Sequence, residues 1–334
     1  MPKTCFDSTS RQLSGASDGR TRLKLSGPTM GTRWSLVCDA GPAVNAADLQ
    51  RALAAAVDEV DCQMSPWKPD SDLMRLNAAP PEQWVALPAA TVEVLARALE
   101  VSRQSAGAFD PAVGALVNAW GFGAARAAPD TVAIRSARSE GGRPAYRWLE
   151  LDHAAGRACK RAPFKLDLCG VAKGYAVDRM VAVLQKRGVA HALAAIDGEL
   201  RAIGSQADGR PWAVALESPL DDQRAVHAVI EVQDLALATS GDYRHFVQAG
   251  SVRIAHTMDG RAGVPVNNGV ASVTVLARDC MSADAWATAL LVAGADEGLA
   301  LAQRFGLEVL FLLRRDGQLV ELGLGRFAAL PSPQ

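Results

Sequence analysis

The chain has 334 residues, 49% of them hydrophobic, ample for one large domain or two medium ones. Its 35 Lys plus Arg face 36 Asp plus Glu, a formal net charge of −1, so no long-range field draws a polyanion and no nucleic-acid partner is expected. Cys5, Cys38, Cys62, Cys159, Cys169 and Cys280 include no CxxC pair, a spacing that supports neither a zinc site nor a disulfide framework.

Residues 1–22 are polar and rich in Ser and Gly, which predicts a disordered N-terminal segment before a single domain, 23–334, of two lobes. That segment carries basic residues but no apolar run. As written the chain is therefore expected to be cytoplasmic, or periplasmic if a leader was removed. No window approaches the roughly 18 apolar residues of a membrane helix, so no transmembrane segment is expected.

"RWSLVC" (Arg33 to Cys38) alternates as a half-buried strand, and Asn45 can cap a helix through Met64 with Leu49, Leu53, Val57 and Val60 on one face. Ser71 can cap a short helix to Asn77. "WVAL" reads as a strand, and Pro88 opens a helix expected to end at Gly107. Asp110 before Pro111 reads as the N-cap of the next helix. Ala124 to Gly142 reads as a helix between exposed loops. Strands are expected at "YRWLEL", "FKLDL" and "HALAAI", around a helix from Val171 to Gln185 that Gly188 can end. "WAVALE", "AVHAVIEV", "LALATS", "VRIAH" and "ASVTVLA" follow as antiparallel ribbons. Helices from Ala283 to Val292 and from Asp296 to Phe305 precede a final hairpin turning at Asp316 and Gly317. Runs of strands and runs of helices, without strict alternation, predict an α+β fold of mostly antiparallel sheet packed with helices.

Four constellations could carry chemistry. In "MSADAWATAL", Asp284 and Thr288 are spaced i, i+4 on one helix face, with Asp284 in the first turn. They either decorate the helix terminus and bond back to the preceding turn, or supply oxygen donors to a hard cation such as Mg²⁺. In "LDLCGVAKGYAVDRM", Asp167 closes an apolar run, Gly170 allows a close backbone approach, and Lys173 stands in the first helical turn. That arrangement either holds a phosphate or pairs internally. "GPTMGTRW" and "SPWKPDSD" are loops holding Met30 and Trp67, and an aromatic there either covers a flat ring or fills a local gap. Finally, "TSGDYRHF" and "AHTMDGRAGVPV" are Gly-containing loops after strands, the second carrying His256 as a base, a phosphate contact or an ordinary strand-end histidine.

Taken in order, "PTMGTRW", "MSPWKPDSDLMRLN", "GAFDPAVGALVNAWGFG", "LDLCGVAKGYAVDRM", "ALATSGDYR", "HTMDGRAGVPV" and "SADAWATAL" resemble the FAD:protein FMN transferase (ApbE) family over about Gly27 to Gly294. The resemblance implies an ApbE-like α+β fold with the FAD site between two lobes. It also implies a Mg²⁺-dependent enzyme that moves FMN from FAD to a Thr or Ser hydroxyl of an acceptor flavoprotein and releases AMP. Position by position it implies FAD contacts at Met30, Trp67, Ala108, Phe109, Asp110, Asp167, Lys173 and Met258. Metal ligands are implied at the Gly170 carbonyl, Asp284 and Thr288, and a catalytic role for His256 beside Lys173.

Two positions depart from the family pattern. The loop Asp259, Gly260, Arg261, Ala262, Gly263 lacks the Pro and the hydroxyl common in the family, and a looser loop is expected. Asp197, in the turn before Gly198 and Glu199, adds a carboxylate that is unfavourable near a diphosphate unless it points away. Two alternative functions remain at this level: hydrolysis of FAD to FMN and AMP, and FAD binding without catalysis.

Overall fold

The computed structural model describes residues 19–124, 128–140, 144–219, 225–243, 246–249 and 252–329. Of the expected disordered segment, residues 1–18 lie outside these. The first described strand, β1 (Thr21–Thr29), starts slightly before the expected Leu23 and pairs with β2 (Thr32–Ala40). Met30 and Gly31 make the two-residue turn with φ of 45° and 72°, the backbone twist that a tight hairpin requires.

Side-chain caps fix the next two helices. Asn45 accepts from the Asp48 amide at the start of α1 (Ala46–Met64), and Ser71 accepts from the Met74 amide at the start of α2 (Asp72–Ala78). After β3 (Trp84–Ala86), Pro88 precedes α3 (Ala89–Gln104), which ends three residues before Gly107, whose φ is 84°. Then come α4 (Gly114–Ala119), α5 (Thr131–Glu140), α6 (Ala145–Trp148), β4 (Leu149–Asp152), β5 (Arg157–Lys160) and α7 (Ala172–Lys186).

The second half holds β6 (Ala192–Ile196), β7 (Glu199–Ile203), β8 (Trp212–Glu217), β9 (Val226–Val232), β10 (Ala236–Gly241), β11 (Phe246–Ala249), β12 (Val252–Ala255), β13 (Met258–Asp259), β14 (Val264–Pro265) and β15 (Val270–Ala277). The order closes with α8 (Cys280–Phe305), β16 (Glu308–Arg315), β17 (Gln318–Leu324) and a 3₁₀ turn, Gly325–Ala329.

An eight-stranded sheet of order β1-β2-β6-β7-β10-β15-β16-β17, antiparallel throughout, forms the frame, as the α+β reading expects. Both faces of its inner strands are buried, and side chains alternate between them with the period of two of a pleated chain. Trp34, Leu36 and Cys38 of β2 and Val309, Phe311 and Leu313 of β16 join the core formed with α1, α3, α7 and α8. The intervening Val37, Leu310 and Leu312 face a second cluster, roofed by Trp212, Val214 and Leu216 of β8 with Ile230 and Val232 of β9.

Three sequence expectations are corrected. "YRWLEL" is half helix, because Pro144 directs its first residues into the turn α6 before β4 begins. "FKLDL" joins no ladder beyond a single parallel bridge between Lys165 and Val113. Its backbone is instead held by a side chain: Asn77 accepts from the Leu166 amide at 2.6 Å and donates to the Leu166 carbonyl at 2.9 Å. The two late helices run together as α8, which starts at Cys280 because Asp279 accepts from the Ser282 amide; Gly294, with φ 79° and ψ −179°, breaks it between the two expected segments. α8 is also long and apolar enough to cross a membrane by length and composition, contrary to expectation, but 56% of its most apolar window is buried inside the protein.

Candidate active site

The N-terminal turn of α7 lies directly against α8, and glycine makes the approach feasible. A β-carbon on Gly174 would stand 2.3 Å from the Cys280 carbonyl oxygen and 2.8 Å from Asp284 Cβ; one on Gly170 would stand 2.9 Å from Thr288 Oγ1. The two helices also cap each other. Asp178 of α7 accepts from the Cys280 and Met281 amides of α8, while Asp284 of α8 accepts from the Gly174 amide of α7 at 2.9 Å. Asp284 therefore lies beyond the first turn of its own helix and serves the terminus of another. This corrects the expectation that its charge suits the start of α8, a task that Asp279 performs.

This geometry leaves donors free for a cation. The Gly174 amide, four residues beyond Gly170, donates to Asp284 and so does not occupy the Gly170 carbonyl. Asp284 Oδ1 accepts no hydrogen bond among the described residues, whereas Thr288 Oγ1 lies 3.1 Å from Ser240 Oγ of β10. Gly170, Asp284 and Thr288 thus lie close together at the junction, and a backbone carbonyl, a carboxylate and a hydroxyl are the kind of all-oxygen set that could hold Mg²⁺ when water or phosphate completes the shell. Among the described residues no group of three or more His, Cys, Asp or Glu could hold a metal, so a softer transition-metal site has no support.

Burial, with Glu199 nearby, pushes the Asp284 carboxyl up to about 8, against the opposing pull of Lys173 and the Gly174 amide. Lys173 donates to Glu199 at 2.7 Å. Burial works against its charge, but Glu199, Asp284 and Asp197 outweigh that and hold its pKa above the ordinary lysine value. Glu199 is buried, and its Oε2 has no hydrogen-bond partner among the described residues. Asp197 adopts a left-handed φ of 54°, and its negative charge acts on Lys173 from near this cluster.

The candidate flavin contacts divide into two groups. Phe109 packs at Gly170, where its ring edge would be 3.2 Å from an added β-carbon, and Ala108 packs with Val266 and Val292. Asp110 does not cap a helix: its Oδ1 accepts from the Ala112 and Ala145 amides and pins two chain segments together. Burial pushes its carboxyl up to about 6. Asp167 accepts from the Cys169 amide and donates its own amide to the Pro111 carbonyl, which joins this segment to the one after Asp110. Its carboxyl too is raised by burial. Met258 is buried with Leu116 and Ala137, and the His256 ring meets Phe122 edge-on at 6.4 Å between centroids. By contrast, Met30 sits in the β1–β2 turn against the main core, and Trp67 is 48% exposed in the loop after α1. No ring contact ties Trp67 to the α7–α8 junction among the described residues.

The loop after Met258 is not loose. Asp259 Oδ1 accepts from the Arg261 amide and, at 3.4 Å, from the Ala262 amide, and the Asp259 carbonyl accepts from Gly263 at 2.8 Å. One carboxylate thus supplies the order expected of the missing Pro and hydroxyl.

Residues 30–311 match the model of the ApbE family. The chain belongs to the ApbE family. Curated relatives of this ApbE chain include the FAD:protein FMN transferase of Vibrio cholerae serotype O1, 37% identical and covering 94% of each chain. Another is the FAD:protein FMN transferase of Escherichia coli K12, 30% identical over 88% of this chain and 84% of its own. Among solved structures, the flavin transferase ApbE from Vibrio cholerae superposes with a TM-score of 0.84 at 35% identity, covering 93% of this chain and 100% of that one. The apo flavinyl transferase ApbE of Pseudomonas stutzeri gives 0.81 at 33% identity, over 91% and 95%. Sequence reasoning on this ApbE chain missed Asp178 and Ser240 and left Glu199 as a turn residue. Their partners are distant in sequence, so no spacing could mark them.

Proposed function

We propose that this protein transfers FMN from FAD to a Thr or Ser hydroxyl of an acceptor flavoprotein, forming a phosphoester and releasing AMP, with Mg²⁺ as cofactor. The observation that supports this reading is the close packing of Gly170 and Gly174 against Thr288 and Asp284 beside Lys173, in a chain whose curated relatives are FAD:protein FMN transferases. The donor set fits Mg²⁺. A cation held by those three groups would offset diphosphate charge that otherwise repels an attacking hydroxyl.

The chain's own residues do the rest. Lys173, kept protonated by its acidic neighbours, offers a fixed positive charge to a phosphoryl oxygen. Phe109 and Ala108 provide apolar surface next to Gly170, and Trp67, exposed on its loop, is available to cover the flavin ring. His256 takes the acceptor hydroxyl proton or steadies the developing oxyanion.

The test mixes purified protein, FAD, Mg²⁺ and an acceptor domain bearing a candidate Thr, and follows covalent flavin by mass spectrometry and AMP by chromatography. Wild type should give equal amounts of both, and Asp284→Ala neither. The reading is wrong if Asp284→Ala transfers as wild type does. Rapid multiple turnover to free FMN and AMP without acceptor would replace it with FAD hydrolysis.

A further inference from the structure

Three elements that carry candidate site residues meet away from the α7–α8 junction. They are the β13–β14 hairpin, which follows His256 and carries Met258; the Gly107–Asp110 segment; and α8 beyond Thr288. Part of the seam is apolar, formed by Ala108, Val266 and Val292. Just after the hairpin, Asn268 Nδ2 donates to the Leu291 and Val292 carbonyls of α8 at 2.9 and 3.3 Å, and at the hairpin's own turn the tie is one arginine. Arg261 Nη1 donates to both carboxylate oxygens of Glu297, on α8 past the Gly294 break, at 2.8 and 3.0 Å. Its Nε donates to Asp259 Oδ1 at 3.2 Å, and a methyl group on Gly107 would touch its Cγ at 3.7 Å. Its planar guanidinium thus spans the turn and the helix, in a fork geometry that a lysine ammonium does not reproduce.

We propose that Arg261 is a positioning residue for the transfer reaction: bridging Asp259 to Glu297, it fixes the segment from His256 to Met258 against the helix that carries Asp284 and Thr288. The proposal rests on the flavin-transferase reading. Backbone bonds hold each element separately, but among the described residues this ion pair is the polar side-chain tie from the hairpin's turn to α8. Both partners are partly exposed, at 33% and 44%, so the pair adds little to stability and its removal leaves the chain folded. A shift of a fraction of an ångström between the strand and α8 acts on the reaction geometry instead.

The experiment compares wild type, Arg261→Met, Glu297→Gln, the double variant and Arg261→Lys in the FAD, Mg²⁺ and acceptor assay, with melting temperatures measured alongside. Each of the first two single variants should lose kcat on the order of 10-fold. KM for FAD and Tm should hold near wild type. The double variant should lose no more than either single one, and Arg261→Lys should recover part of the rate. Wild-type kcat in both single variants, additive losses in the double variant, or a fall in kcat matched by equal changes in KM and Tm would overturn the proposal. If wild type itself forms no covalent flavin, the transferase reading fails and takes this inference with it; transfer by wild type with unaltered variants sinks the inference alone.

Discussion

Gly174→Ala is the most direct probe of the α7–α8 junction. The added methyl would lie 2.3 Å from the Cys280 carbonyl oxygen, 2.7 Å from its carbon and 2.8 Å from Asp284 Cβ. None of these atoms can move by rotating a side-chain end, so the helices must separate by about 1 Å to restore ordinary contact. Overpacking of this kind costs about 1–3 kcal/mol, offset by up to about 1 kcal/mol for replacing glycine in a helix. A net loss of about 1–2 kcal/mol is expected, a fall of a few degrees in Tm for a chain this size. The functional effect should be larger. The separation stretches the Gly174 amide bond to Asp284 and parts Asp284 and Thr288 from Gly170, and misplacement by about 1 Å can cost 10²-fold in rate. Calorimetry and a Mg²⁺ titration of FMN transfer check both limbs. A variant that melts with wild type and needs no more Mg²⁺ would refute the reciprocal packing of the two helices as the source of the site.

Asn77→Ala removes both hydrogen bonds to Leu166 and leaves a buried amide and carbonyl unmet, so a loss of about 2–4 kcal/mol is expected in urea unfolding; near-wild-type stability would show that the Phe164–Leu168 segment is held by other means. Asp110→Asn keeps an acceptor for the Ala112 and Ala145 amides but removes a carboxyl whose folded pKa, about 6, lies above its unfolded value. Below about pH 4 the carboxyl is protonated folded and unfolded, and above about pH 6 wild type carries the full cost of a buried charge; the variant's advantage should therefore open between those values and level off at no more than about 3 kcal/mol. Denaturant unfolding from pH 4 to 7.5 reads this, and a flat difference would contradict it. Trp67→Ala, at a half-exposed loop position, should leave Tm within a degree or two while weakening FAD binding several-fold, measured by flavin fluorescence titration; unchanged affinity would remove Trp67 from the flavin site.

What the sequence disclosed and what it hid follow the range of the interactions concerned. Caps and turns act within four residues, so Asn45, Ser71 and the Asp316–Gly317 turn, with φ of 51° and 75°, could be read directly. The strand at Arg33 to Cys38 was equally plain from its alternation, although its end at Val37 and Cys38 is buried on both faces and not half-buried as the alternation suggested. The "FKLDL" segment failed because its partner is the Asn77 side chain, nearly 90 residues away, which satisfies one residue's amide and carbonyl in place of a neighbouring strand. The same limit applied at the site. The i, i+4 spacing put Asp284 and Thr288 on one face correctly, yet the residue that opens the Gly170 carbonyl is Gly174, whose amide leaves its own helix for Asp284. Local pattern named the candidate donors. Only the fold shows why one of them is unspent.

Under the proposed function, that arrangement makes stability and binding draw on the same carboxylate. Asp284 satisfies a helix-terminal amide at a buried position where ionisation is unfavourable, its carboxyl being raised to about 8 by burial and by Glu199. A site built only for stability would place a neutral acceptor there, because an amide oxygen would take the Gly174 hydrogen bond without the desolvation cost of a charge. The carboxylate gains its advantage only when a positive charge joins it. Lys173 is partly committed to Glu199, and Asp197 adds negative charge to the same cluster, so the described residues hold three carboxylates around one lysine. A divalent ion, as the proposed function requires, would redress that imbalance at a buried acid that the fold alone does not require.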